Sequence, residues 1–192
     1  MTDNETATLP DVPTSGFGAF FEETREPLAD GWYQGTIESQ YTMEKEDGST
    51  VVYETQDSPS NDGSSRNIAL RVKVTPKSTN RPWNTRTQIN YRPLDLTGPR
   101  KESVLKARES GDKANKDITR SSIALGQLAR LEKIAGGSLI QNGNGGFDLT
   151  GLVGKTVYVR RGDETDNRTT PPKVFKAIVE FSHTAPKKAA VL

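Results

Sequence analysis

Residues 66–76 read Arg-Asn-Ile-Ala-Leu-Arg-Val-Lys-Val-Thr-Pro. Ile68, Leu70, Val72 and Val74 fall on alternate positions, with Ala69, Arg71 and Lys73 between them. Side chains of a strand alternate between its two faces, so this segment presents one apolar face and one basic face. Pro76 ends it, because proline cannot donate to a ladder. A strand with a single apolar face needs further strands beside it and a layer to close over it.

Both flanks supply them. Downstream, residues 77–85 read as a polar loop that leaves Trp83 exposed. Residues 86–92 then alternate again, with Thr87, Ile89 and Tyr91 on one face and Arg86, Gln88, Asn90 and Arg92 on the other. Upstream, Tyr33, Gly35, Ile37, Ser39 and Tyr41 share a face of an extended segment. Gly35 inside it suggests a bulge or a tight bend. A hairpin loop at 45–48 leads to a strand at 50–55, and residues 56–65 carry only turn chemistry, so they are expected as an exposed loop. Beyond 92, residues 93–99 form a turn and residues 100–110 have weak helical character. Residues 117–135 are the strongest helix: Ala124, Leu128, Leu131 and Ala135 stack at helical spacing, with Leu125 and Ile134 widening the stripe and Gly136-Gly137 as the stop. A loop at 141–146, a strand at 155–161, a solvated loop at 162–172 and a final strand at 173–182 complete the pattern.

Several strands, a helix and then two more strands suit a mainly β fold with one or two helices, a small barrel of the oligonucleotide/oligosaccharide-binding (OB) type with inserted loops. The expected organisation is a flexible acidic arm over residues 1–26, holding the aromatic cluster Phe17, Phe20 and Phe21, a barrel domain over 27–182 and a tail over 183–192.

Composition narrows the chemistry. The chain has no cysteine, which removes disulfides, zinc knuckles and thiol nucleophiles. It has a single histidine, His183, in a neighbourhood without catalytic character. The Gly-Lys-Thr at 154–156 lacks the glycine a phosphate loop requires at 149, which is leucine, and it runs into a strand pattern rather than a helix. No enzyme, metal or other cofactor is expected. The acidic, polar beginning is unlike a secretory signal and no apolar run approaches a membrane span, so a cytoplasmic protein without membrane contact is expected.

The net charge of +1 conceals a segregation: −12 over residues 1–65, +9 over 66–108 and +4 over the remainder. One reading is that the two blocks pair with each other in the fold. The other is a polyanion partner, because cations along a groove neutralise phosphates and unpaired bases stack on flat rings. The basic middle supplies both kinds of group. Its candidate contacts are Arg66, Arg71, Lys73, Lys77, Arg81, Arg86 and Arg92, with Tyr53, Trp83 and Tyr91 among them. Tyr91 shares a face with Ile89, so a place in the core is an equal alternative for it.

The segment PLADGWYQGTIES, residues 27–39, resembles the Pro-Leu-x-x-Gly-x-Tyr-x-x-x-Ile start of a family of small phage-encoded proteins. IALRVKV, SSIALGQLARLEKIAGG and DLTGLVGKTVYVRR extend the likeness in order over residues 27–182. The resemblance implies an OB-type barrel that binds single-stranded DNA during phage replication or recombination in the host cytoplasm. The loops at 56–65 and 77–85 look long for that family, and the end, APKKAAVL, is weakly basic where single-strand binders often carry an acidic tail. The expected partner is therefore single-stranded DNA, with RNA as the alternative polymer and a homo-oligomer as a further expectation. The competing readings are a virion structural or decoration protein and a protein-binding adaptor or inhibitor.

Overall fold

The structure is a computed structural model that describes residues 28–45, 47–77, 80, 82–111, 115–166 and 170–186. The expected N-terminal arm, its aromatic cluster and most of the expected tail lie outside these residues. The described residues form ten strands and two α-helices, and the fold is mainly β with antiparallel pairing.

The segment at the centre of the sequence pattern is an interior strand of the sheet, paired with three others. β5 (Arg66–Val74) pairs with β6 (Trp83–Tyr91) along one edge. Its other edge is shared: β1 (Gly31–Glu38) covers the half from Arg71 to Val74, and β4 (Gln56–Pro59) covers the half from Arg66 to Ala69. β1 and β4 are thus one interrupted strand. Between them a hairpin of β2 (Gln40–Glu44) and β3 (Thr50–Glu54) leaves the sheet. Thr55 closes its neck: its N–H donates to Ser39 O at 2.7 Å, its hydroxyl donates to Glu38 O at 2.6 Å and accepts from Arg71 N–H at 2.9 Å.

β1 also pairs with β9 (Thr156–Asp166), and β9 with β10 (Lys173–Ser182). The path is β6-β5-β1-β9-β10, every step antiparallel. β6 and β10 therefore run in the same direction where they meet. They come together across a slot, but no ladder joins them among the described residues, so the expected barrel is not closed. A closing pair there would be parallel, and parallel pairing is the less stable kind.

Gly35 sits in regular register, opposite Val74 on β5 and Val157 on β9, and not at a bulge. It is required for a different reason: a Cβ there would lie 2.7 Å from Val72 Cγ1 and 2.8 Å from Lys73 O. The bulge occurs instead in β10, between Ile178 and Glu180.

α1 (Gly98–Ser110) and α2 (Lys116–Ala135) follow β6 through a 3-10 turn at Pro93–Leu96. Asn115 caps α2 by accepting from the N–H groups of Asp117 and Ile118, and Gly136 ends it in the left-handed conformation. Its expected stripe is the buried one. Ala124, Leu128, Leu131 and Ile134 join Tyr33, Ile37, Ile68, Leu70, Val72, Ile89, Val157 and Phe181 in a single core. Each such leucine or isoleucine, fully buried, contributes about 1.5–3 kcal/mol relative to exposure.

Three segments expected as loops are ordered differently. Residues 56–59 are strand β4, because their backbone groups find partners on β5. Residues 162–166 extend β9 into a projecting arm with β10. Residues 141–146 make a tight turn between the two-residue strands β7 (Ile140–Gln141) and β8 (Phe147–Asp148), and it packs back against β5 and β6 through Arg66 and Tyr91.

Candidate nucleic-acid interface

Side chains that point away from the core on β5 and β6 form an ordered polar face. The registers place Lys73 opposite Asn84, Arg71 opposite Arg86, Ala69 opposite Gln88 and Asn67 opposite Asn90. Lys73, Asn84, Arg86, Gln88 and Asn90 are exposed. Among the described residues no carboxylate lies within ion-pair range of Lys73 or Arg86. Thr36 on β1 continues the row at Lys73, and Glu38 the row at Arg71.

Like charges directly opposite each other on a ladder repel, so the pair Arg71 and Arg86 needs an explanation. Part of it is the β2–β3 hairpin, which folds over Arg71 and leaves it 6% exposed. The Arg71 guanidinium carbon lies 5.1 Å from the Tyr53 ring centre and 5.7 Å from that of Tyr41. Its Nε donates to Glu54 O at 3.0 Å, and its Nη1 is buried without a hydrogen-bond partner. The two tyrosines are a cross-strand pair whose ring centres are 5.3 Å apart. Arg71 is therefore held by π-faces and a carbonyl, and its role is to seat the hairpin. Both rings stay partly exposed beside the polar face. At the far side of the sheet the β9–β10 arm carries Val174 and Phe175, 62% and 47% exposed.

The candidate residues separate clearly. Lys73 and Arg86 lie together on the face, with Tyr53 at its border. Lys77 is exposed in the turn beyond Pro76. Arg81 lies outside the described residues. Trp83 is not in an exposed loop: it is the first residue of β6, opposite Val74, half-buried and packed against the core. Arg71 is buried, contrary to the expectation that it shares an open face with Lys73.

Arg66, Tyr91 and Arg92 are committed to the protein. Arg66 is buried and pairs with Asp57, Nε to Oδ1 at 3.0 Å, because β4 brings that carboxylate alongside it. Tyr91 is 3% exposed, and its hydroxyl donates to Asp57 and Gly145 O. Burial first, and then the bond to Asp57, push its phenol well above the usual range. Arg92 pairs with Asp95 at 3.0 Å and Asp117 at 2.9 Å.

The sequence reading named neither Tyr41 nor the outward amides as contacts. Tyr41 faces Tyr53 because the hairpin turns about Asp47, six residues from each; a turn at 45–48 would have set Tyr41 opposite Val52 instead.

No protein-family model matches this chain, and no curated protein matches it.

Among the described residues no three His, Asp or Glu side chains gather to hold a metal ion. Gly154 turns at φ +80° and Thr156 begins β9, so the Gly-Lys-Thr run opens no helix and cradles no phosphate. What the face can do chemically is neutralise anions through Lys73 and Arg86 and exchange in-plane hydrogen bonds through three amides. Beside them, Tyr53 and Tyr41 offer flat rings. No described helix is long and apolar enough to cross a membrane.

Proposed function

We propose that this protein binds single-stranded nucleic acid, DNA in the first instance, on the outward face of β5 and β6. The observation that carries the reading is the row of Lys73, Arg86 and the amides Asn84, Gln88 and Asn90, exposed and bordered by two tyrosine rings. The cations meet phosphates and release counterions. The rings stack on bases, each worth about 1–3 kcal/mol. The strand order and the hairpin inserted after β1 also support an OB-type barrel left open at one seam, in which β-strand faces and the loops beside them serve as the oligonucleotide site. On this reading the protein is a non-catalytic phage protein that acts in the host cytoplasm, in replication or recombination.

One observation favours a second reading. Met43 and Val52 on one hairpin, and Val174 and Phe175 on the other, are apolar and about half exposed or more. A virion subunit or an adaptor would use such tips against a neighbouring protein.

The test is titration of the full chain against fluorescent oligo-dT of about 30 nucleotides at two salt concentrations, with duplex as the control. Tight, salt-sensitive binding to the single strand alone supports the proposal. Failure to bind at low salt rejects it and leaves the protein-contact reading.

A further inference from the structure

α2 presents a second, outward row beside its buried stripe. Arg120, Ile123, Gln127, Arg130 and Lys133 follow one another at steps of three or four residues, which places them along one flank of the helix. That flank lines three depressions of about 550, 630 and 390 Å³. The first and second share Gln88, Asn90 and Gln127; the second and third share Arg130 and Glu180. Set end to end along the helix they make one groove, bridged between the second and third depressions by Arg130, which donates to Phe181 O at 3.2 Å. It starts at the outward side chains of β6, follows the unpaired seam between β6 and β10, and ends at Trp32, Arg108 and Lys133. From Arg120 to Lys133 the helix rises about 20 Å.

Among the described residues the groove's cations outnumber its acids, which are Asp95, Asp117, Glu180 and an unpaired Glu164. Glu180 is engaged by Arg160 at 3.2 Å and lies 3.7 Å from Arg130. Asp95 and Asp117 are engaged by Arg92 and Arg100. Among the described residues Arg108, Arg120 and Lys133 have no ion-pair partner. Trp32, half-buried at the far end, adds a flat ring beside Arg108 and Lys133. Cations in a row along a narrow groove, with amides along it and an aromatic at its end, are complementary to an extended polyanion that carries planar groups.

We propose that a single strand laid on the β5–β6 face continues over the edge of β6 and along α2 to Trp32, so that the groove sets the length of nucleic acid bound. This inference rests on the proposed function, and the two can fail separately. The experiment compares the full chain with R120E/K133E and with K73E/R86E, on oligo-dT of about 8 nucleotides, inside the ~4–16 that one such fold covers, and of about 30, beyond it. The groove pair should bind the short oligonucleotide as wild type does. It should lose about tenfold on the long one, with a shorter occluded length and a salt slope smaller by about 1.4, for two phosphates at ~0.7 each. K73E/R86E should weaken both lengths. R120Q/K133Q, with a helical spectrum and melting temperature matching wild type, should show the same length-selective loss and guards against misfolding by charge reversal. A groove pair that matches wild type on the long oligonucleotide in affinity and slope overturns the path and leaves the face standing. Equal loss on both lengths overturns the order of contacts. A wild-type chain that binds neither length overturns the proposed function itself.

Discussion

Arg66 on β5 and Asp57 on β4 pair diagonally across the ladder at 3.0 Å, with side chains only 9% and 1% exposed. Asp57 also accepts from the Tyr91 hydroxyl and, at 2.7 Å, from Phe147 N–H. One carboxylate therefore ties β4, β5, β6 and β8 together, and its negative charge is stabilised by a guanidinium and two neutral donors. Removing one partner of a buried pair strands the other charge, which costs about 3–5 kcal/mol. D57A should lower the unfolding free energy read from urea denaturation by an amount in that range, and R66A should do the same. Neither should change the salt slope of oligonucleotide binding in the folded population. A reduced slope in R66A would return Arg66 to the interface.

At Gly35, the nearest atoms to an added methyl include Lys73 O, a backbone atom that cannot swing aside. G35A should therefore force β1 and β5 apart and cost about 1–3 kcal/mol, as overpacking does. Thermal unfolding checks this. An unchanged melting temperature would mean that the two strands separate freely at their closest point.

The large elements were legible because their periodicity is strong and unambiguous. The alternation in residues 66–74 and 86–91 and the 3.6-residue stripe in 117–135 correspond to β5, β6 and α2. Residues 56–59 were not, because Gln-Asp-Ser-Pro has turn composition and becomes strand only through backbone bonds to β5 that no local pattern announces. The same gap explains the site. Arg66 differs from Arg71 and Lys73 already by alternation, since it shares the inner face with Ile68 and Leu70 and meets Tyr91 there, whereas Arg71 and Lys73 share the outer face and are separated only by what lies on top. Asp57 reaches Arg66 and the hairpin covers Arg71, while Lys73 is left to solvent. Both covering groups come from segments that precede β5 and whose approach depends on the neck at Thr55. The segregation of charge was real in part as internal pairing: Asp57 with Arg66 and Asp30 with Lys176 join the acidic first third to later basic positions.

A second polar cluster should make stability depend on acid pH. Asp95 accepts from Ser121, Arg100 and Arg92, and Asp117 bridges the same two arginines. Burial pushes the Asp95 carboxyl up, but these hydrogen bonds together outweigh it and hold it below its ordinary value. The Arg92 bond first, with Arg100 beside it, lowers Asp117 too. Groups depressed on folding stabilise the protein fully above their unfolded value, about 3.9 for Asp, and lose that contribution as pH falls through the folded one. Urea unfolding from about pH 5 downward should show stability falling below about pH 4. D95N should flatten that fall while lowering stability at neutral pH, and an unaltered pH profile in D95N would show that the loss arises elsewhere.

Tyr53 offers the sharpest separation between seating the hairpin and touching a ligand. Its ring stacks on Arg71 and borders the open face, so truncation removes both a cation–π contact and a platform for a base. Y53A should weaken oligo-dT binding by about 1–3 kcal/mol, the value of one stacked base. Y53F keeps the π-face and should bind as wild type does. R71K loses the planar guanidinium that packs over both rings, so it should loosen the hairpin and lower affinity without removing charge. Amide exchange at residues 40–54 reads the first effect and oligonucleotide titration the second. If Y53A frees the hairpin to exchange yet binds oligo-dT undiminished, the tyrosines only shape the fold, and the contact with nucleic acid must rest on Lys73, Arg86 and the amides alone.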